Sequence, residues 1–412
     1  MTGAFDRTRL AGIANCLAIA VAVSLPWSTS ATGILIVAWL VVLLPTLSPG
    51  DFRIRHDPMT AAGGLPVLLV LLGLVGMLWA DVSWAERWKG FTSFPRLLAI
   101  PLLLVQFRRS DAAGLRVLAG YLLSCTVLLV VSTTVLAVPS LKTMLLHVDS
   151  TIVKNAATQS GEFATCIAGM LYLGAQAVER RRWWWLAGLL VVALGMLANI
   201  FFVATGRTAL VVLVVLVVLF AVRQLSVRGM LILFAGLVAV AAVGWASSPY
   251  LRLRAFDVLH EIQLYETADI ATSSGERIEF AKKSLRFIRE APVIGHGTGT
   301  ITALFTESTI GRTGAAGSAT TNPHNQTFAV AIQLGLIGAA VLWAMWLAHL
   351  WLFRGPGLAA WIGLVIVAQN IVGSLFNSHL FDFTQGWVYV FGAGVAGGIV
   401  LKRRAVQADA TP

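Results

Sequence analysis

Apolar residues along this chain fall in long blocks, not in alternation. Unbroken apolar runs lie at 10–25, 32–47, 64–80, 94–106, 114–138, 161–177, 184–204, 208–222, 229–246, 326–353, 358–376 and 387–401. A helix needs about 20 residues to cross a bilayer core. The alternating segments of a transmembrane barrel are absent from the pattern. It predicts an all-α integral membrane protein with about twelve transmembrane helices. The run at 94–106 is short and holds Pro95 and Pro101, so its ends are weakly defined. More spans follow the first run, which therefore reads as a retained helix and not as a cleaved leader. One polar stretch, 247–323, interrupts the series. The chain divides into nine helices over 1–246, a large loop domain over 247–323, and three helices with a tail over 324–412.

Composition agrees. Of 412 residues, 58% are hydrophobic and 12% charged. A soluble domain carries about 25% charged residues. A soluble fold, a disordered chain and a disulfide scaffold are excluded; the three cysteines, Cys16, Cys125 and Cys166, show no C-x-x-C spacing and read as inert helix residues.

The net charge of +11 has a direction. With the N-terminus in the cytoplasm, one set of short connections holds 16 of the 30 basic residues, among them Arg53, Arg55, Arg180, Arg181 and Arg182. The opposite face holds 14, eight of them in 247–323. Long loops cross regardless of charge, so the positive-inside rule places both termini in the cytoplasm. In a Gram-negative cell the large loop then faces the periplasm. No basic stripe interleaved with aromatics marks a nucleic-acid surface. The 14 Trp residues read as an interfacial belt.

The loop is locally neutral. Within it, Ser273 or Ser274 can cap a helix beginning near Gly275. Ile278, Ala281, Leu285 and Ile288 form one apolar stripe, with Lys282, Lys283, Arg286 and Arg289 opposite. This reads as an amphipathic helix on the membrane surface or over a cavity, or as a helix packed on the spans. The glycines of 292–299 free the backbone for a tight turn or a close approach, but no strand or Gly-Lys-Ser ending makes them a nucleotide motif. The Gly-, Ala- and Thr-rich segment 311–318 is expected to be mobile. His324, at the mouth of the next span beside Asn325, has the chemistry of a general base or of an interfacial cap.

Two places break a membrane rule. Thr205-Gly206-Arg207-Thr208 joins two apolar runs with almost no loop, which sets Arg207 at the interface. Ionisable residues at such depth mark function by default, against the plain alternative of an arginine reaching to headgroups. The outward loop 81–94 carries Arg87 and Lys89, with Arg96 just beyond. Trp84 and Trp88, four apart, would share a face and could cradle an anionic headgroup or simply anchor the interface. A further outward loop holds Lys142, His147, Asp149 and Lys154 in no recognisable spacing. The histidines His260, His296, His324 and His379 are scattered, with no metal-ligand spacing. No metal or other cofactor is expected, and cationic side chains carry the chemistry instead.

Several of these features occur together and in order: Thr205-Gly206-Arg207 at a span end, Ser274-Gly275-Glu276-Arg277 opening a loop helix, Pro292-x-x-Gly295-x-Gly297 after it, and His324-Asn325 before a span with Gly335 and Gly338. In this order they resemble the O-antigen ligase family, which shares its loop pattern with the O-antigen polymerases. The resemblance implies a GT-C-like glycosyltransferase of the bacterial inner membrane with its active site facing the periplasm. The family moves a glycan from undecaprenyl diphosphate to lipid A–core oligosaccharide during lipopolysaccharide biosynthesis, without metal and with inversion. Its functional arginines and histidine fall at Arg207, Arg277 and His324.

The residues suit that chemistry. A lipid diphosphate leaving group needs preorganised positive charge, which Arg207 and Arg277 can supply, with Arg87 or Lys89 as further diphosphate contacts. A sugar hydroxyl needs a base, for which His324 stands first and Glu276 or Glu279 remain open. An O-antigen polymerase or related glycan transferase is the alternative within the superfamily. A lipid-glycan flippase or transporter is the alternative from another class; it would require polar residues deep in several spans, and few are evident.

Overall fold

The computed structural model describes residues 6–52, 59–138, 140–141, 153–247, 249–268 and 270–409. Arg53, Arg55, Lys142, His147, Asp149 and Asp269 lie outside them. Among the described residues the chain is helical with no strand. In order the helices are α1 (Arg7–Ser24), α2 (Thr29–Leu43), α3 (Met59–Val75), α4 (Trp84–Phe91), α5 (Ala99–Arg109), α6 (Asp111–Ala137), α7 (Ala156–Glu179) and α8 (Trp183–Phe202). They continue with α9 (Arg207–Gln224), α10 (Val227–Ser247), α11 (Pro249–Ala268), α12 (Ser273–Glu290), α13 (Ile301–Glu307), α14 (Gln326–Leu352), α15 (Leu358–Ser374) and α16 (Phe383–Asp409).

Every apolar run falls on a helix. Among the described residues nine helical stretches are long and apolar enough to cross a membrane, and Ala61–Val75 and Leu358–Ser374 are shorter apolar helices. The protein is a multi-pass membrane protein. α7 is long, at 24 residues, but carries Gln159, Glu162 and Gln176. Side-chain caps start many of these helices, as short polar residues should. Asp6 caps α1, Ser28 caps α2, Ser110 caps α6 and Asn155 caps α7.

Two expectations about shape change. Segment 81–94, read as a loop, contains α4, held by a capping box between Ser83 and Glu86. Pro95 opens a 3-10 turn, and α5 follows. The tryptophans are not all a belt. Trp183, Trp184 and Trp185 are exposed, but Trp39, Trp346 and Trp361 are fully buried. Their indole N–H groups donate to Gln106 Oε1, Asn370 Oδ1 and the Ala168 carbonyl.

The core centres on α16, whose spanning stretch is buried throughout. Glycines on α16 let α5 lie close: a Cβ at Gly394 would meet Leu103 Cβ at 2.5 Å. The spans also bury more polar groups than the sequence suggested. Gln159 donates to Asn199 at 2.9 Å, Gln369 to Gln385 at 2.8 Å and Gln106 to Asn15 at 2.9 Å. His349 meets the Tyr389 hydroxyl at 2.6 Å. The paucity of buried polar residues therefore no longer argues against a transporter; these groups pair with one another as interhelical links.

The polar stretch 247–323 is mostly helix and is fastened to α14 at a break. Gly335 (φ +64°) interrupts α14 and releases backbone groups on both sides. Segment 292–299 takes them up. His296 N donates to the Ile332 carbonyl and Gly297 N to the Gln333 carbonyl, both at 2.9 Å, while Leu336 N donates to the Pro292 carbonyl at 2.8 Å. Irregular backbone inside a membrane protein needs such partners. The glycines thus serve a close approach to the protein's own helix. At Gly297 (φ +95°) a Cβ would lie 2.4 Å from Ala80 Cα, and at Gly335 it would lie 2.1 Å from the Val293 carbonyl oxygen.

α12 packs differently from its apolar stripe. Phe280, Lys283, Ser284 and Phe287 are buried, while Leu285 is exposed. Phe280 and Phe287 join Ile301, Phe305, Ala329 and Ile332 in a small core. Aromatic burial against α13 and α14 outweighs the Ile278–Ile288 stripe, because each ring removes more apolar area from water. Segment 311–318, expected to be mobile, is a folded turn: Ala315 is fully buried and Lys283 Nζ donates to the Ala316 carbonyl at 2.6 Å.

Candidate functional site

Three chain segments far apart in sequence meet where α9, α12 and α14 begin. Arg207 is the first residue of α9. A cation there opposes the helix dipole, so helix stability does not favour it. Its placement needs Gly206, where a Cβ would lie 2.2 Å from Ser160 Oγ on α7. Arg207 Nη2 lies 3.9 Å from Glu261 Oε1 on α11, and its side chain is 44% exposed.

Glu261 organises the start of α12. Its Oε2 accepts from Ser274 N at 3.1 Å and Ser274 Oγ at 2.5 Å. Thr272 Oγ1 donates to the Glu261 carbonyl at 3.0 Å and accepts from Gly275 N at 3.1 Å. The cap of α12 is therefore Thr272, one residue before the serines expected; Ser274 serves Glu261 instead. Arg277 lies within electrostatic reach of Arg207, Glu261 and His324. Burial and then the neighbouring Arg207 guanidinium hold Arg277 below the usual guanidinium value.

His324 sits just before α14 with φ +55°, the left-handed region that a non-glycine residue adopts only when its surroundings impose it. Those surroundings are visible. His324 N donates to Asn322 Oδ1 at 2.9 Å, and Ser378 Oγ donates to the same oxygen at 2.7 Å. Asn322 Nδ2 donates to Asn377 Oδ1 at 2.7 Å. The Asn377 side chain in turn lies near enough to the His324 imidazole to favour its protonated form. The ring stacks on Phe280 of α12, with centroids 6.0 Å apart and planes 17° apart. Burial first, and then Arg277, push the imidazole below the ordinary histidine value, which favours the neutral form able to accept a proton.

The other sequence-predicted residues divide. Glu276 faces this group: its Oε1 accepts from Ser318 Oγ at 2.6 Å and its charge acts on His324. Glu279 is held by Tyr265 and by Lys282 Nζ at 3.0 Å. Burial pushes the Glu279 carboxyl up, but those two hydrogen bonds outweigh it and leave the value below the usual carboxylate range. Asn325 caps α14, accepting from Phe328 N at 3.1 Å. Arg87 Nε and Nη1 donate to the Val82 and Met77 carbonyls, each at 2.9 Å, and its guanidinium lies over Trp84. Among the described residues no hydrogen bond or ion pair joins Arg87 or Lys89 to Arg207, Arg277 or His324. Arg96 donates to the Asp382 carbonyl. Trp84 and Trp88 are both exposed, as expected of a shared face.

Sequence reasoning gave no role to Glu261, Phe280, Asn322, Asn377 or Ser378. Glu261 was one of eight loop acids with no motif around it. Asn377 and Ser378 follow an apolar run more than 50 residues beyond Asn322, and only folding joins them. Among the described residues no three His, Cys, Asp or Glu side chains gather as metal ligands would.

The arrangement puts two guanidinium groups and a largely neutral imidazole around one locus, the elements of a site for an anionic leaving group and a protic nucleophile. No curated protein matches the chain. Residues 195–343 match the family model described as O-antigen ligase, a segment that takes in Arg207, Glu261, Arg277 and His324.

Proposed function

We propose that this protein transfers a glycan from undecaprenyl diphosphate to a sugar hydroxyl of lipid A–core oligosaccharide at the periplasmic face of the bacterial inner membrane. The neutral His324 imidazole takes the proton of the acceptor hydroxyl. The oxygen attacks the anomeric carbon as the carbon–oxygen bond to the diphosphate breaks, with its electron pair leaving on the diphosphate. Arg207 and Arg277 hold that growing charge in place of a divalent metal. Attack opposite the leaving group inverts the anomeric centre. The observation that carries this reading is the convergence of His324 with Arg277 and Arg207. His324 is the stronger base candidate, because Glu279 is held in an ion pair with Lys282 and Glu276 already accepts from Ser318.

The test uses purified protein in detergent with undecaprenyl-diphosphate glycan, lipid A–core and EDTA. A mobility shift of lipid A–core that disappears in His324→Ala is the expected result. Lengthening of the lipid-linked glycan instead would make the protein a polymerase. Neither product, with flipping of the lipid-linked glycan in vesicles, would make it a transporter.

A further inference from the structure

A cavity of about 200 Å³ opens beside α12, further along the helix from His324. Lys282, Lys283, Arg286 and Arg312 line it with Ser308, and Glu279 is the one carboxylate in the lining. Two of the four cations have acidic partners: Lys282 bonds Glu279 at 3.0 Å, and Arg286 lies 3.6 Å from Glu290. The other two do not. Lys283 is only 7% exposed, and its ammonium donates to the carbonyls of Ala316 at 2.6 Å and Ser318 at 3.2 Å. An ammonium has three donors, so one remains. The Arg312 guanidinium makes no hydrogen bond or ion pair among the described residues. A buried ammonium hydrogen-bonded only to carbonyls is costly, and an anion beside it offsets that cost. Burial holds Lys283 below the usual lysine value against the opposing pull of the Glu279 carboxylate, and Arg286 and Arg312 add to the shift.

The position of the cavity selects its ligand. Lys283 lies seven residues beyond Glu276 on α12, about 10 Å along the helix axis. Ser318 joins the two, its carbonyl accepting from Lys283 and its hydroxyl donating to Glu276. Phe280, between them, stacks on His324. A diphosphate at Arg207 and Arg277 is too short to occupy the cavity as well. The ligand there is a second anion, within one or two sugar units of the reacting hydroxyl. Two arginine forks and an ammonium match a phosphoryl group.

We propose that the cavity formed by Lys283, Arg286 and Arg312 binds a phosphoryl group on the sugar chain of the acceptor glycolipid and so sets the acceptor hydroxyl over His324. This rests on the transferase reading above. The test uses full-length protein in nanodiscs and the double variant Arg286→Gln/Arg312→Ser. Both residues are exposed, which spares the fold. The expected result is a rise of at least about ten-fold in KM for phosphorylated lipid A–core, with kcat and donor KM unchanged. With lipid A–core stripped of its sugar phosphates, wild type and variant should converge. Equal acceptor KM values, a rise in donor KM, or a difference that survives dephosphorylation would each overturn the proposal. So would a difference that vanishes in pure phosphatidylcholine and needs anionic lipid, since it would assign the cavity to a headgroup. Calorimetric titration with inorganic phosphate reads the cavity without turnover: binding by wild type should weaken about ten-fold in the variant. Equal binding overturns the cavity reading even if glycan is transferred. Weakened binding upholds an anion site even if wild type transfers none, and only the transferase reading then fails.

Discussion

At the residue scale the proposed transfer depends on the proton state of one imidazole. Burial and Arg277 lower the His324 value, so its base form is complete at neutral pH and persists below the ordinary histidine range. Activity is therefore expected to fall only as pH drops through a value under about 6.5. Removing the guanidinium in Arg277→Gln relieves one lowering influence, and the acid limb of kcat/KM should move to higher pH. A pH–rate profile of both forms checks this; an unmoved limb would separate Arg277 from His324. His324→Ala should lose about a hundred- to ten-thousand-fold in kcat, while the protein inserts and unfolds as wild type does. Glu261 acts through its neighbours. Because the Arg207 side chain is 44% exposed, its 3.9 Å pair with Glu261 is a weak one. Glu261→Gln should raise donor KM by less than about ten-fold, and a loss as large as that of His324→Ala would mean that Glu261 itself touches substrate. Arg207→Lys keeps the charge but loses the fork, so weakened turnover is expected there too.

At the element scale the break in α14 and the glycine turn are one device. The turn satisfies the backbone that Gly335 releases, and its own positive-φ glycines allow the approach. Gly297→Ala adds a Cβ 2.4 Å from Ala80 Cα on a backbone at φ +95°. It should lower stability by about 1–3 kcal/mol or more, read as a drop in Tm in detergent. Activity should fall with it, because the turn follows the helix that carries Arg277 and Phe280. A Tm equal to wild type would show that the turn can shift away from Ala80.

At the scale of the whole molecule, one buried charge pair ties together helices distant in sequence. Lys154, just before α7, lies 3.9 Å from Glu162, whose side chain is 1% exposed. The same ammonium donates to Thr384 Oγ1 on α16 at 2.8 Å and to the Leu25 carbonyl that ends α1. Removing Lys154 leaves the Glu162 carboxyl buried with no cation near it and no hydrogen bond among the described residues. Lys154→Met should therefore destabilise by about 1–3 kcal/mol, and Lys154→Met/Glu162→Leu should recover most of the loss. Thermal unfolding of both variants decides. A double variant no better than the single one would show that Lys154 acts through Thr384 and Leu25 instead.

The helical membrane architecture was legible in the chain because an apolar run must be helical to satisfy its backbone in lipid. Arg207 stood out as a candidate because a cation at a span junction breaks a membrane rule, and Arg277 and His324 because they fall in an ordered series of motifs that resembles a family; that the three lie near one another is what the fold adds. Contacts between distant segments were not legible. The sequence shows Gly335 as a helix residue, and only the docked turn at Pro292 and Val293 makes it a break. Lys283 stood on the polar face of a helix, yet packing of Phe280 and Phe287 turns it inward. Periodicity ranks the faces of one helix by hydrophobicity, but which face is buried depends on the volume its neighbours leave to fill. The same holds for Glu261, Asn322 and Asn377: their roles come from atoms brought within about 3 Å by the fold, a distance that no spacing along the chain encodes.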